Sequence, residues 1–192
     1  MTGRSPAPAV DSGVRGAAAG PRPAALRLPL PPGAPIDPFA LAGSSGVVLA
    51  DGDRVLVGLG RARTLDVPGG LDDGDAIDAA TAALAAVPCD DRLAPGPGVR
   101  HPVVAVAALP FDRADAAQLV VPALTYVRTA DGIEWVTLVD AEGAPLPDAD
   151  DPSVPGALRA RLLEVAAAHG AGPVVAGTPR VVPRSDDDDF ER

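Results

Sequence analysis

The feature that most constrains the fold of this chain is the segment from residue 103 to 128, VVAVAALPFDRADAAQLVVPALTYVR. The run Val103–Leu109 is apolar at every position, which is typical of a strand covered on both faces. Pro110 and Asp112 end this run. The stretch Gln118–Val127 is rich in β-branched residues, which favour a pleated and half-buried surface. The segment therefore predicts a strand, a turn and a second strand.

Two further groups of strands are predicted on either side of this segment, each with a glycine-containing turn. The upstream group consists of Gly46–Ala50, a tight turn at Asp51-Gly52-Asp53, the returning strand Arg54–Leu59 and a third strand at Ala62–Val67. The downstream group has its turn at Asp131-Gly132 and its returning strand at Ile133–Val139, which contains the single tryptophan.

Two helices complete the pattern. The first spans Gly70–Val87, where aspartates crowd the first turn and favour the helix dipole, and Pro88 ends it. The second spans Pro155–Ala168, with Ser153 as a candidate cap and a stop at His169-Gly170. Hairpins and helices in this order predict an α+β fold, a largely antiparallel sheet of hairpins with two helices on one face.

The two ends of the sequence differ in composition from the middle. Residues 1–35 are rich in Pro, Ala, Gly and Arg without apolar periodicity, and we predict that they are disordered. Residues 36–183 form the predicted α+β domain. Residues 184–192 form an acidic polar tail that includes Asp186–Asp189.

The segment from residue 103 to 128 also resembles a known family. An aliphatic strand, LPFD, a short Ala/Asp spacer and LVVP are similar to the amino-terminal half of isochorismate synthases, which belong to the chorismate-utilising enzymes. In that family a strand ending in G/A-x-x-P-F-D precedes a strand that opens with L-x-V-P. The matching residues are Ala107–Asp112 and Leu119–Pro122, and Leu56–Gly60 matches the L-x-G-x-G pattern that ends the family's first hairpin. The resemblance extends over about residues 38 to 185.

The resemblance implies the amino-terminal part of the chorismate-utilising fold. The family isomerises chorismate to isochorismate with magnesium, for menaquinone or siderophore biosynthesis. It uses a lysine base, a glutamate acid and magnesium-binding glutamates, all in a carboxy-terminal chorismate-binding region that would begin where this sequence ends, at Arg192. The sixteen basic residues of this chain are all arginine. We therefore expect no catalytic, cofactor-binding or metal-binding residues here, no cofactor in this chain, and no activity of the chain alone.

Composition restricts the possible partners. The net charge of −10 disfavours nucleic acid and anionic membrane surfaces. The sequence contains no run of 18 apolar residues, so no membrane-spanning helix is predicted. Cys89 is the single cysteine, which fits a reducing cytoplasm, and its acidic neighbours would raise the thiol pKa. The expected partner is a carboxy-terminal chorismate-binding domain or chain, and self-association is possible because an apolar sheet face would remain uncovered.

Several other residue groups could be offered as sites, and a structural interpretation is favoured for each. The four consecutive aspartates Asp186–Asp189 cannot all point at one ion, and the glycine pairs, Gly58 with Gly60 and Gly69 with Gly70, lack phosphate-loop spacing. The histidines His101 and His169 lack a nucleophile. The alternating arginines Arg54, Arg61 and Arg63 suit a solvent face.

A function of a different class stays open. The chain could be a free-standing, non-catalytic α+β module that binds a ligand or a partner chain. Related anthranilate synthases bind a feedback inhibitor partly through their amino-terminal half, which makes a binding role compatible with the resemblance. A neighbouring gene for a lysine-containing chorismate-binding domain would favour the first hypothesis over this one.

Overall fold

The architecture is given by a computed structural model, which describes residues 24–68, 70–93, 102–107, 116–141 and 145–170. These residues form eight strands and three helices. The elements are β1 (Ala25–Pro29), α1 (Pro38–Ala42), β2 (Val47–Asp51), β3 (Arg54–Leu59), β4 (Arg63–Val67), a 3₁₀ turn (Gly70–Asp72), α2 (Gly74–Ala85), β5 (Cys89–Asp91), β6 (Ala117–Val121), β7 (Leu124–Arg128), β8 (Glu134–Val139) and α3 (Val154–Gly170).

Six of the strands form one sheet in the order β2-β3-β7-β8-β1-β5. Only the pairing of β1 with β5 is parallel. The other pairs are antiparallel: β2 with β3 and β7 with β8 are hairpins, whereas β3 with β7 and β1 with β8 join strands that are distant in the chain. The strands β4 and β6 form a separate two-stranded antiparallel sheet. The α+β class with a largely antiparallel sheet is therefore confirmed.

The helices α1 and α3 cover one face of the large sheet. Alternate strand residues point into the core on this face, and Leu41 of α1 and Leu162 of α3 pack on them. Asp37 caps α1 by accepting from the backbone N–H groups of Phe39 (2.9 Å) and Ala40 (3.3 Å). The buried strand side chains on this face are Leu26, Leu28, Val55, Val57, Tyr126 and Val136.

The opposite face of the large sheet has a different cover. A second core cluster there joins Ala25 and Val139 to Val121 of the small sheet and to Val103. The helix α2 packs on the small sheet, where Ala80 contacts Val67 and Ala117. Burial thus ties the small sheet and α2 to the back of the large sheet.

The predicted disorder of residues 1–35 is wrong for Ala25–Pro29. This stretch is β1, which lies inside the sheet between β8 and β5, with its first four residues buried. The sequence did not predict this strand for two reasons: five residues are too few to show clear periodicity, and prolines surround them. Pro29 is tolerated because its pairing with Trp135 needs no N–H from Pro29: the next ladder bond to β8 runs from the Leu30 N–H to Glu134 (2.9 Å). Residues 1–23, within the same prediction, and 171–192, which include the predicted acidic tail, lie outside the described residues.

The strand predicted at Val103–Leu109 is also corrected. Over residues 102–107 the chain makes only one bridge, in which Val106 and Val120 exchange two backbone hydrogen bonds of 2.8 Å. Within the described part of the run, Val103 is buried in the second core cluster, residues 104–106 are half-buried and Ala107 is exposed, so the apolar sequence reflects partial burial rather than strand pairing. Leu109 lies outside the described residues.

The single strand predicted at Gln118–Val127 is two strands, β6 and β7. Pro122 separates them, because proline offers no N–H to a ladder. The predicted hairpin turns at Gly52 and Gly132 are confirmed, and both glycines have positive φ (56° and 82°). The third predicted strand is β4, although it pairs with β6 in the small sheet rather than extending the hairpin.

The predicted helices correspond to α2, which a 3₁₀ turn precedes, and to α3. The side chain of Asp73 caps α2 by accepting from the Ala76 N–H. The Ser153 hydroxyl, expected to cap α3, donates to Asp151. None of the helices in the described ranges is long and apolar enough to cross a bilayer.

The buried position of β1 gives a stability prediction. Leu26→Ala should lower the free energy of unfolding by about 2–5 kcal/mol, because it leaves a cavity under α1 and α3. Pro29→Ala, in the same strand but exposed, should change it by less than about 0.5 kcal/mol. Urea unfolding followed by Trp135 fluorescence measures both values. Equal, small effects of the two substitutions would contradict the burial of β1.

Candidate functional site

Two of the sequence motifs that resemble isochorismate synthases meet in the fold, whereas the LPFD motif at residues 109–112 lies outside the described residues. Gly58, in the LVGLG stretch of β3, lies directly beneath Pro122 of LVVP. A Cβ atom at Gly58 would be 2.9 Å from Pro122 Cγ, so a larger residue does not fit without movement. Gly60 has a φ of 65°, and a Cβ there would be 3.3 Å from the Ala123 Cβ. We call the contact of Gly58 with Pro122 the motif junction.

The motif junction is also where the chain passes from one sheet to the other. Backbone hydrogen bonds hold both sides of it: Ala62 N–H donates to Val121 (2.9 Å), and Val139 N–H donates to Ala123 (3.0 Å). Pro122 itself is fully buried. Because a proline cannot donate to a ladder, the chain ends β6 there and enters the large sheet as β7.

A partly buried ion pair lies on the same face of the large sheet. Arg27 Nε donates to Asp91 Oδ1 (2.8 Å), and Arg27 Nη2 donates to Asp91 Oδ2. The Arg27 side chain is 7% exposed and that of Asp91 is 34% exposed. The third nitrogen, Nη1, is buried without a hydrogen-bond partner. The pair therefore satisfies two of the three guanidinium nitrogens.

The ion pair ends a polar row that crosses five strands. Register places Gly58 beside Thr125, Thr125 beside Thr137, Thr137 beside Arg27, and Arg27 beside Asp91. The two threonines and Arg27 are buried. Buried polar side chains in one row are uncommon because each must offset its loss of hydration. We call these five residues the polar row.

Titration of the groups at this edge follows from their contacts. Burial alone would raise the pKa of the Asp91 carboxyl, but hydrogen bonds from Arg27 and the Leu93 N–H hold that pKa below its ordinary value. Burial, and then repulsion by Asp91, raises the pKa of the Cys89 thiol to about 11. The expectation that the acidic neighbours raise this pKa is confirmed, and burial is the larger cause. The thiolate form of Cys89 is scarce at neutral pH.

A second buried ion pair lies on the helix-covered face. Arg159 of α3 donates from Nη1 to Glu134 Oε2 and from Nη2 to the Ala34 carbonyl. Tyr126 donates to Glu134 Oε1 at 2.6 Å. Burial and this hydrogen bond raise the pKa of the Tyr126 phenol well above its ordinary value. The network fixes the loop before α1 against α3 and the sheet, which is a structural role.

The residues weighed from sequence as possible sites do not form a catalytic group in the described part of the chain. Arg54 lies near Asp131, whose pKa is lowered mainly by the Thr129 hydroxyl and to a smaller extent by Arg54. Arg63 is exposed on β4 in the other sheet, as is Arg61 just before it. Three groups lie outside the described residues: His101, Gly69 and Asp186–Asp189.

The glycines and His169 have structural contacts. Gly58 forms the motif junction, Gly60 lies beside it against Ala123, and Gly70 opens the 3₁₀ turn with a φ of 62°. His169 is exposed at the end of α3, and its ring packs against Gly43, where a Cβ would be 2.9 Å from Nδ1. No group of three or more metal-ligating side chains is found in the described ranges.

Sequence reasoning missed the polar row, because its members come from five strands that are far apart in the chain. One local signal was available: Arg27 alternates with Leu26 and Leu28 in a short apolar stretch. An arginine at an alternate position of a buried strand indicates a buried charge that needs a partner. The partner, Asp91, could not be chosen among the many aspartates of this chain.

Comparisons with protein-family models, with curated proteins and with solved structures gave no match for this chain.

The motif junction gives a prediction that a double-mutant cycle tests. Gly58→Ala should destabilise by about 1–3 kcal/mol, because the new methyl group meets the Pro122 ring. Adding Pro122→Ala removes Cγ, so the double variant should be more stable than the sum of the single effects predicts. Gly156→Ala, which meets nothing within 4 Å in α3, is the control and should be neutral or stabilising by up to about 1 kcal/mol. Strict additivity at residues 58 and 122 would contradict the contact.

The ion pair gives a pH-dependent prediction. Asp91→Asn should destabilise by on the order of 1–2 kcal/mol at neutral pH, because Arg27 keeps a buried charge without a counter-charge while solvent around the partly exposed Asp91 screens part of the effect. The folded pKa of Asp91 is lowered, so its contribution is present above the unfolded value of about 4 and is lost as the pH falls below it. The difference from the wild type should therefore shrink towards about pH 3.

Urea titrations at several pH values measure this difference. Arg27→Met in the Asp91→Asn background is the matched control, since it removes the unpaired charge and should recover most of the loss. A penalty for Asp91→Asn that is the same at every pH would show that the ion pair is not its source.

Proposed function

We propose that this chain is the amino-terminal, non-catalytic portion of an isochorismate synthase-like protein and is inactive on its own. In this proposal, a separate chorismate-binding domain or chain supplies the lysine base, the acid and the magnesium ligands. The protein as a whole would convert chorismate to isochorismate for menaquinone or siderophore biosynthesis. A cytoplasmic location belongs to the same proposal, because a single, half-buried cysteine fits a reducing compartment.

The observation that carries the proposal is the motif junction. Two of the stretches that carry the resemblance, Leu56–Gly60 and Leu119–Pro122, are more than fifty residues apart in the sequence. They nevertheless pack on each other through Gly58 and Pro122. A Cβ atom placed on Gly58 would lie 2.9 Å from the Cγ atom of Pro122. Residue types that constrain each other in space form one structural unit, whereas chance matches to two short patterns need not touch. The contact therefore supports a resemblance of the fold.

The residue types at the junction have a further physical rationale. Only glycine leaves room for the Pro122 ring at this register, and only proline both fills that space and ends the β6 ladder. The L-x-G-x-G and L-x-V-P patterns thus specify one crossing between two sheets. This explains why both patterns would be retained together in a family that shares this crossing.

The partner proposal rests on apolar surface that the described chain does not bury. Phe39 is 70% exposed on α1 and Ile133 is 50% exposed beside the β7–β8 turn. Such side chains mark a contact site only as part of a larger apolar patch, which the proposed partner would cover. The sequence supplies no obvious electrostatic attraction for chorismate, a dianion, since the net charge is −10.

Reconstitution tests the proposal. The chain is mixed with a chorismate-binding domain cut from an isochorismate synthase without its own amino-terminal part, and the mixture is supplied with chorismate and magnesium. We expect co-elution on size exclusion and isochorismate formation above that of either part alone, measured by chromatography. The control is the same domain with its lysine base replaced by alanine, which should co-elute without turnover.

Two results would contradict the proposal. Turnover of chorismate by this chain alone would show that it is catalytic. Absence of both co-elution and stimulated turnover, with each part shown to be folded by circular dichroism, would remove the partner role.

A second candidate is a free-standing α+β binding module, and the closed helix-covered core favours it. The core cluster beneath α1 and α3 is built from one chain, and the charges of Arg159 and Glu134 are paired within it. Such a core needs no partner to fold. A stable monomer that ignores the chorismate-binding domain in the mixing experiment would support this candidate.

A further inference from the structure

The strand β2 forms one edge of the large sheet and pairs only with β3 among the described strands. Its hairpin has a two-residue loop, so Asp51 and Arg54 form the closing hydrogen-bonded pair. Because hydrogen-bonding direction alternates along an antiparallel strand, the backbone groups of Val47 and Leu49 also face β3. The N–H and C=O groups of Val48 and Ala50 then point outward from the sheet.

The two edges of the large sheet are built differently. The opposite edge, β5, has only three residues, two of which are aspartates, and Arg92 follows it in an ion pair with Asp90. Short length and charge are the features that prevent edge-to-edge pairing. The β2 edge has neither proline nor an inward charge, and its one charged residue, Asp51, is at its end.

The side chains of β2 add an apolar surface to this open edge. Val47 is 41% exposed and Leu49 is 54% exposed, and both lie on the face opposite the helices α1 and α3. Leu56 of β3 lies directly beside Leu49 on that face and is half-buried. Backbone groups that point outward from an edge strand bind a partner segment in the extended conformation. The exposed apolar side chains of β2 favour a partner strand that is also apolar.

We propose that the β2 edge pairs antiparallel with the β2 edge of a second copy of this chain, so that two six-stranded sheets become one. The two-fold axis passes beside Leu49, which faces Leu49 of the second copy in a non-hydrogen-bonded pair. Val48 then exchanges backbone hydrogen bonds with Ala50 of the second copy, and Ala50 does so with Val48 of the second copy.

A second copy fits this edge because the pairing is self-complementary. Each Asp51 lies opposite Val47 of the other copy, so like charges do not face each other along the paired strands. Within each hairpin, Arg54 lies directly across from Asp51 and offsets its charge. The exposed Leu49 side chains meet at the axis and cover each other.

Charge and area set the strength of this dimer. Each copy carries a net charge of −10, so long-range repulsion opposes association and is screened by salt. One pair of five-residue strands buries a small area, and interfaces below about 1,200 Å² in total are weak. The dimer is therefore expected at high protein concentration and should strengthen as ionic strength rises.

Sedimentation equilibrium over a wide concentration range tests the proposal on the full chain. Ala50→Pro removes the outward N–H and should weaken the dimer about tenfold or more, while leaving the β2–β3 ladder intact. Ala50→Thr keeps the N–H at the same exposed position and should leave the dimer unchanged. Circular dichroism shows whether each variant is folded.

A second pair of variants does not depend on proline. Leu49→Asp places two carboxylates opposite each other at the axis, whereas Leu49→Asn has the same size without the charge. At neutral pH we expect Leu49→Asp to dimerise at least about tenfold more weakly than Leu49→Asn, and the gap should narrow in high salt. A monomer at all concentrations, or a dimer that neither Leu49→Asp nor Ala50→Pro weakens, would overturn the proposal.

Discussion

The burial of β1 is the constraint on which most of this architecture depends. Its residues alternate between two faces: Leu26 and Leu28 support the helix-covered core, while Ala25 and Arg27 face the second cluster. Placing an arginine inside a sheet requires a carboxylate within reach, because an unpaired buried charge is costly. Asp91 meets this need from β5, which is why a three-residue acidic strand lies parallel to β1 at the edge of the sheet.

The motif junction solves a second geometric problem, the passage between sheets. A continuous strand over residues 117–128 would hold β6 and β7 in one sheet. Pro122 interrupts the ladder, and Gly58 leaves the space that the proline ring needs. The two sheets then pack through Val121 and Val139 in a shared cluster. One proline and one glycine thus determine where the small sheet and α2 lie.

Local pattern in the sequence predicts the hairpin turns, both longer helices and the α+β class. Gly52 and Gly132 mark turns because their positive φ is a local requirement. What the sequence does not predict depends on distant partners. The strand β1 is too short and too rich in nearby proline to be recognised, and the apolar sequence at Val103 favours burial without indicating which residues it packs against. The polar row is assembled from five strands, so none of its neighbourhoods carries the pattern alone.

The position of β1 also has a consequence for biosynthesis. This strand is synthesised early. Its antiparallel neighbour β8, in which Val139 pairs with Ala25, is among the last elements of the sheet to leave the ribosome. Arg159 of α3 likewise holds the Ala34 carbonyl across 125 residues. Contacts between such distant parts slow folding and leave apolar strands unpaired in the meantime. The apolar side chains of β1 in a nascent chain therefore stay without their sheet neighbour until β8 has been synthesised.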